Sequence, residues 1–399
     1  MNVLFVIHYP VFGGPHNQAL LLARSLARQG VEMTVLLPDE PGNAADRLRA
    51  AGVDVFTMPL HRVRATPHPA HQLRLLAGLR REVGAIRRLI RGRAIDVVQL
   101  GGLMNPHGAI AARQEDTPVV WQILDTRAPM AARRVMMPLV LRLSDMVMTT
   151  GRAVADVHPG AARLGERLGS FFPPVEPGVF SAEHGDRDTA RAELGFAPED
   201  LVLVSVGNLN PQKGHEHLLR AAALARRTRP EIKVVVAGAP HPTHREYEKG
   251  LHRLAGELGL AVGKDVVFAG ALSDVRPVLA AADVFVLASV PRSEGAPTAI
   301  EEAMMMELPV VATDVGAVRE VVEDGRTGFV VPPLDAHALA GAILRILGDH
   351  ELRTSFGTRG RVRAIEHFSA EECARVHLEA YECALRNRRS GRTANGGAR

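Results

Sequence analysis

A two-domain α/β architecture with parallel sheets is what this sequence predicts, on three observations. The chain has 399 residues, more than one hydrophobic core ordinarily organises and enough for two domains of roughly 150 to 200 residues each. Its two halves open alike, with an apolar strand, a glycine-bearing turn and a helix carrying apolar residues at helical spacing. Strand-like runs then alternate with helix-like stretches in both halves, which favours parallel order.

In the first half, the strand Val3 to Ile7 leads through Gly13-Gly14 into a helix from Asn17 to Arg28. Further strands are expected at Met33 to Leu37, Val53 to Met58, Val97 to Leu100, Val119 to Ile123 and Met146 to Thr149. Phe171 to Gly178 is the densest proline and glycine cluster between the two series and reads as the linker, setting domains at 1–175 and 176–367. In the second half, Leu201 to Val206 leads through Gly207-Asn208-Leu209-Asn210-Pro211-Gln212-Lys213-Gly214 into a helix from His217 to Arg226. Strands are expected at Lys233 to Ala237, Val266 to Ala269, Val284 to Leu287, Pro309 to Ala312 and Gly328 to Val331. Two Rossmann-like beginnings so far apart argue for two domains with a crevice beside the linker. Helices follow over 352–367 and 370–385; residues 368–385 are expected to pack back on the first domain. The Gly- and Arg-rich 386–399 reads as a disordered tail.

Hydrophobic residues at 46% and charged residues at 23% are globular proportions, and no run of about eighteen apolar residues could span a bilayer. Met1 to Ile7 has neither the basic region nor the cleavage site of a signal peptide and reads as a buried strand. Cys373 and Cys383 lie on one expected helix, about 15 Å apart along its axis, too far to pair; a reducing cytoplasm suits them. The net charge of +4 hides a split, because residues 1–180 hold 21 Arg and no Lys against 14 acidic residues. Nine of those arginines stand from Arg62 to Arg93 beside a single acid, Glu82. That run is either a solvated helical face or a surface for phosphate-bearing lipid. With almost no aromatics interleaved, it does not read as a nucleic-acid groove. Asp186-Arg187-Asp188 has the D-x-D pattern of metal-dependent enzymes but precedes a helix and reads as N-terminal helix charge. None of His61, His68, His71, His241 and His244 shows zinc-ligand spacing, so no metal is expected.

Two segments carry chemistry. Ser289-Val290-Pro291-Arg292-Ser293-Glu294-Gly295-Ala296-Pro297-Thr298-Ala299-Ile300-Glu301-Glu302-Ala303-Met304 follows a strand, and Pro297 reads as a first helical residue. The amides of Gly295, Ala296 and Thr298 then face outward at a helix start, ready for phosphate. Two carboxylates there, Glu294 in the loop and Glu302 eight positions on, suit sugar and ribose hydroxyls lying beyond the phosphates. The bland alternative makes Glu294 a favourable helix-terminal charge and Glu302 a surface residue. In the second segment, Lys213 is one of only four lysines, at a turn where arginine would be this chain's routine cation. It is either a point charge for phosphate or a solvated loop lysine.

These segments resemble glycosyltransferase family 4, the large retaining family with the GT-B fold of two facing Rossmann-like domains and a central cleft. Glu294 to Glu302 matches its E(x7)E motif. Similar too are Leu308 to Gly316, Glu320, Asp324 to Gly328, Phe268-Ala269-Gly270, Ala282 to Leu287, the Lys213 loop and Gly13-Gly14, so the likeness covers most of the chain and is dense from 201 to 332. The resemblance implies that the C-terminal domain holds a nucleotide-sugar, UDP-linked by default and GDP-linked otherwise, with Gly207, Asn208, Lys213 and Gly270 among its binding residues. Lys213 and the residue at 208 would neutralise the diphosphate. Glu294, beside the Gly295 and Ala296 amides, would contact the sugar, and Glu302 the ribose. Gly13 and Gly14 would let the N-terminal loop come close to diphosphate and acceptor.

Three positions depart from the family pattern. Asn208 stands where many members have Arg. Leu124-Asp125 replaces a frequent His-Asp, leaving Asp125 to polarise the acceptor alone. Gly13-Gly14 is followed by Pro15-His16-Asn17, so His16 either enters the acceptor side or is incidental beside a helix-capping Asn17. Retention in this family implies that the diphosphate leaves and the acceptor attacks on the same face, giving its proton to the diphosphate. Positioning and charge stabilisation then dominate, and no cofactor or metal is implied. The acceptor is a hydroxyl compound of open class, and an anionic membrane is a further expected contact, at the inner membrane surface. The alternatives are a nucleotide-sugar epimerase of the same fold and a degenerate nucleotide-sugar-binding protein. A nicotinamide dehydrogenase is the least favoured alternative, because neither turn spells G-x-G-x-x-G.

Overall fold

The computed structural model describes residues 1–61, 69–181, 186–240 and 244–396. It divides into unit 1, Met1–Pro174 with Ala370–Arg399, and unit 2, Val175–Ser369. Unit 1 runs β1 (Asn2–Ile7), α1 (Gly14–Ala27), β2 (Glu32–Pro38), α2 (Ala44–Ala50), β3 (Asp54–Met58), α3 (Pro69–Gly92), β4 (Val97–Gly101), α4 (Pro106–Gln114), β5 (Val119–Ile123), α5 (Met130–Leu143), β6 (Met146–Thr150), α6 (Arg152–Asp156) and β7 (Leu168–Phe171). Unit 2 runs α7 (Arg187–Glu193), β8 (Leu201–Val206), α8 (His215–Arg226), β9 (Ile232–Ala237), α9 (Arg245–Glu257), β10 (Val266–Gly270), α10 (Arg276–Ala280), β11 (Val284–Leu287), α11 (Thr298–Met305), β12 (Val310–Thr313), α12 (Val318–Val321), β13 (Gly328–Val331), α13 (Ala336–Leu347) and α14 (His350–Phe368). The chain then returns to unit 1 as α15 (Ala370–Gly396).

Each unit holds one parallel sheet, ordered β3-β2-β1-β4-β5-β6-β7 and β10-β9-β8-β11-β12-β13. Helices on both faces bury the central strands, which is why β1 is apolar from Val3 onward and β5 and β8 are apolar but for Gln122 and Ser205. Edge strands are weaker in sequence. β7, Leu-Gly-Ser-Phe, has one buried residue and escapes the sequence reading. In both sheets the chain leaves the first strand on one side and returns on the other, so the switch points fall between β1 and β4 and between β8 and β11. Ligands of such sheets bind beyond the carboxyl ends of the strands at that point.

At the opposite, amino ends of β8 and β11 a buried staple fixes the pair. Asp283 accepts from the Val202 amide at 2.8 Å and pairs with Arg191 at 2.7 Å and Arg187 at 2.5 Å. Asp186 caps α7, accepting from the Asp188 amide and Thr189 hydroxyl, so the D-x-D segment is built into a helix start.

Helix α15 packs on α1 and on β5, β6 and β7. His377, fully buried, donates from Nδ1 to the Cys373 carbonyl at 2.7 Å and accepts at Nε2 from the amides of Gln18 and Gln122, at 3.1 and 2.8 Å. Both cysteines are free thiols. Residues 386–396, expected as a disordered tail, continue this helix. Arginine is a good helix former, and Asn387 donates to the Asp145 carbonyl at 3.0 Å while Arg388 pairs with Asp116 at 2.5 Å. Of the Arg62 to Arg93 run, Arg62, Arg64 and the Arg74 side chain lie outside the described residues, as do His68, the His71 side chain and His241. Arg87 and Arg91 pair with Glu115, and Arg93 with Asp54. Among the described residues no helix is long and apolar enough to cross a membrane, and no cluster of three His, Cys, Asp or Glu could hold a metal ion.

Candidate functional site

The β8 and β11 loops meet at the switch point of unit 2. After β8, the Asn210 side chain accepts from the amides of Gln212 and Lys213 and closes a single helical turn, and Gly214, left-handed at φ +61°, redirects the chain into α8. A Cβ at Gly214 would lie 2.1 Å from the Ala288 carbonyl oxygen at the end of β11, so only glycine lets the loops close. The Val290 amide donates to the Gln212 carbonyl at 3.0 Å. This framework brings Lys213 Nζ within 2.8 Å of Glu294 Oε1, and the buried Ser289 hydroxyl donates to the same oxygen at 2.6 Å. Thr313, from the end of β12, donates to the Ser289 carbonyl at 2.6 Å. Gly207 lies under the stem of Lys213, 3.2 Å from Cε as measured from an added Cβ, while Asn208 is exposed.

The E(x7)E segment turns from loop to helix at Pro297. Its backbone is extended (φ −83°, ψ 103°), making it the N-cap, and α11 begins at Thr298. The sequence places Pro297 one position further in, because proline suits either side of that boundary. Gly295 accepts from the Ala317 amide at 3.0 Å, and a Cβ at Gly316 would stand 2.6 Å from its carbonyl oxygen. Glu302 reaches the surface in part, yet its carboxyl is shielded from water and pushed up to about 7 by desolvation. Glu301 is fully buried with both oxygens lacking a hydrogen-bond partner among the described residues. Burial first, then the Glu302 charge, holds it well above the usual carboxylate range. His215, at the start of α8, is buried and pushed down to about 4, hence neutral at pH 7. Gly270 and Gly238 end β10 and β9; the Gly238 amide donates to Gly270 at 2.8 Å, and a Cβ at Gly238 would meet the Gly207 carbonyl at 2.0 Å.

Unit 1 offers a barer loop. Gly13 and Gly14 are exposed, and a Cβ on either would meet nothing within 4 Å. Gly13 caps α1, which begins at Gly14, so Asn17 is not the cap that the sequence suggests. His16 is buried: its Nδ1 accepts from the Gly13 amide at 3.1 Å and its Nε2 donates to the Tyr9 carbonyl at 2.8 Å. Both ring nitrogens are thus committed to closing the loop. Asp125, after β5, accepts from the Arg127 amide at 2.9 Å and pairs with its guanidinium at 3.1 Å. A 390 Å³ cavity of this unit lies at the amino ends of β1 and β2, lined by Arg24, Thr34, Asp54 and Arg93, away from the donor and acceptor residues expected from the sequence.

Residues 13–158 match the glycosyl transferase 4-like domain, and residues 186–363 match the glycosyl transferases group 1. The chain belongs to the group 1 glycosyl transferases. A D-inositol 3-phosphate glycosyltransferase of Mycobacterium tuberculosis is 34% identical to this group 1 transferase over 237 residues, 58% of this chain and 47% of the relative. The chain spans about half the length of the curated relatives it matches. Among solved structures, Anabaena HepE in complex with UDP superposes with a TM-score of 0.81 at 23% identity, covering 96% of this chain and 100% of that one. The sucrose-phosphate synthase of Thermosynechococcus elongatus gives 0.71 at 21% identity, covering 96% and 98%. These likenesses show the GT-B fold.

Of the residues that the sequence singles out by charge and spacing, the structure brings Lys213 and Glu294 together. The sequence reading does not find Ser289, Thr313, Gly238 or Glu301. Ser289 and Thr313 act through contacts between strand ends far apart in sequence, and Gly238 through a neighbouring strand. Glu301 was legible, as an acid at a helical position whose neighbours Ile300 and Met304 are core.

Proposed function

We propose that this group 1 transferase moves a sugar, with retention, from a nucleoside-diphosphate sugar to a hydroxyl acceptor, and does so without a metal. The observation that carries the reading is the Lys213–Glu294 pair at the β8/β11 switch point, beside the start of α11. A diphosphate would take over the Lys213 charge, assisted by Asn208 and the Gly295 and Ala296 amides next to Pro297 and Thr298, which releases Glu294 to sugar hydroxyls. Glu302 would bind the ribose. Gly207 and Gly270 keep side chains out of the way. In unit 1, Gly13, Gly14 and Asp125 would serve the acceptor. The anomeric carbon exchanges its phosphate oxygen for the acceptor oxygen on the same face, and the acceptor proton passes to the departing diphosphate. The leaving charge is then what the site stabilises.

UDP is the favoured nucleotide, supported by the Anabaena protein solved with UDP and with UDP-glucose. The acceptor class stays open; the M. tuberculosis relative is named for inositol 3-phosphate. A cytoplasmic setting with peripheral contact to anionic membrane fits the exposed Arg80, Arg81 and Arg88 of α3. The test is calorimetric titration with UDP, GDP and ADP in EDTA, repeated on Lys213→Ala. Micromolar UDP binding weakened about tenfold or more by the substitution is expected, with turnover of Lys213→Ala and Glu294→Ala each reduced about a hundredfold. Binding of no nucleotide, or equal binding by the variant, would refute the site.

A further inference from the structure

The outward face of a surface helix is ordinarily polar, and α5 breaks that rule. Its buried face is Arg133, Met136, Met137 and Val140. Its exposed residues are Met130, Ala131, Arg134, Val135, Pro138, Leu139 and Arg142. At 100° per residue these seven fall on one half of the helix. Five are apolar, two are arginine, and none is acidic or neutral polar. Val135 is 69% exposed, Met130 46% and Leu139 39%. An apolar outward face is normally covered, and among the described residues nothing in unit 1 covers Val135, Met130 or Leu139.

Charge selects the occupant. Residues 127–167 hold seven arginines and three acidic residues; of the acids Asp145 is buried beside Arg113, and Asp156 and Glu166 lie beyond α5. A second copy seated face to face would oppose the same patches, Arg134 and Arg142 against their own counterparts. An anionic bilayer answers both features, taking the apolar ridge into the acyl boundary and the guanidinium groups among its phosphates. We propose that the outer face of α5 lies in the surface of an anionic membrane and places unit 1 there. This takes up the membrane contact proposed above but rests on different residues from the α3 arginines, and it does not depend on the donor site.

The experiment is co-sedimentation of the full chain with vesicles of phosphatidylcholine alone and with phosphatidylglycerol added, beside sedimentation velocity without lipid. Binding to the anionic vesicles is expected, falling with salt and reduced about tenfold or more in Val135→Asp/Leu139→Asp and severalfold in Arg134→Ala/Arg142→Ala. The variants should keep the Trp121 emission and UDP affinity of the parent, which separates loss of the surface from misfolding and from failure of the donor site. Full binding by the aspartate variant, or its loss only in Arg80→Glu/Arg81→Glu/Arg88→Glu, would overturn the assignment to α5. So would a dimer dissolved by the aspartate variant with no vesicle binding, or equal binding to neutral vesicles.

Discussion

The two units follow one plan and furnish it differently at the carboxyl end of the first strand. In unit 2 the loops are locked into one another: added Cβ atoms at Gly214, Gly238 and Gly316 would stand 2.1, 2.0 and 2.6 Å from backbone oxygens, and Lys213 and Glu294 are already paired. In unit 1 neither Gly13 nor Gly14 has a positive φ, and neither has a neighbour within 4 Å of an added Cβ. The glycines of unit 2 are therefore requirements of the fold. Those of unit 1 meet no such obstacle, which fits the approach of a ligand proposed for them. Gly238→Ala and Gly214→Ala are expected to lower stability by about 2 to 4 kcal/mol, because each adds strain and a backbone clash. Gly13→Ala and Gly14→Ala, the first losing a glycine N-cap and the second gaining a helix former, should each change it by no more than about 1 kcal/mol while lowering turnover. Denaturant titration followed by circular dichroism measures the first pair against the second, and an equal loss at Gly14 would erase the contrast.

The same division governs what could be read beforehand. The central strands and their parallel arrangement are legible in apolar runs such as Val3 to Ile7 and Leu201 to Val206, which burial on both faces requires, whereas the order of strands in each sheet is not. Lys213 and Glu294 stand out because a charge at a strand end is chemically conspicuous. What escaped is what depends on third parties. The Ser289 hydroxyl matters only because the fold returns Glu294 to it. His16 looks like an acceptor-side group until Tyr9 and Gly13 are seen to hold both its nitrogens. The segment 386–396 looks like a tail until Asp116 and Asp145 supply its anchors. Pro297 shows the limit of local signals, since the residue type marks a helix start without fixing which side of it.

Acid should separate the units further. In unit 1, burial lowers the pKa of His16, His107 and His158 and pushes His377 down to about 4. The unfolded chain takes up protons near pH 6.5 while the folded unit does not, so stability is full above that pH and is lost as the pH falls towards 4. His377, held by Cys373, Gln18 and Gln122 with Phe171 and Tyr381 against its ring, should alone account for about 2 kcal/mol between pH 7.5 and 5. Unit 2 has His215 with the same sign, but Glu302, raised to about 7, opposes it: its folded carboxyl keeps a proton that the unfolded chain has released, so stability rises as the pH falls from about 7 towards 4.5. Trp121 is the single tryptophan and is buried in β5 of unit 1. Its emission should therefore report a transition that moves to lower denaturant at pH 5, less so in His377→Gln, while amide exchange in unit 2 changes less. A Trp121 transition indifferent to pH over this range would remove the distinction.

The smallest effect asks whether the prebuilt order of unit 2 matters to chemistry or only to stability. Ser289→Ala removes one donor from Glu294 Oε1 and leaves the Lys213 ammonium against it. The lost hydrogen bond should cost about 1 kcal/mol of stability, a change that a merely structural serine would also give. If Ser289 positions Glu294 for the sugar, kcat should fall about fivefold to tenfold with nucleotide affinity intact, because UDP lacks the group that Glu294 addresses, and Ser289→Thr should restore part of it. Asp125→Asn supplies the contrast from unit 1, where the carboxylate is held by its own near neighbour Arg127 rather than by a distant strand end. A fall in UDP affinity matching the fall in kcat would show instead that Ser289 supports the loop as a whole, and the precision assigned to Glu294 would then belong to the backbone that Gly214 and Gly316 allow.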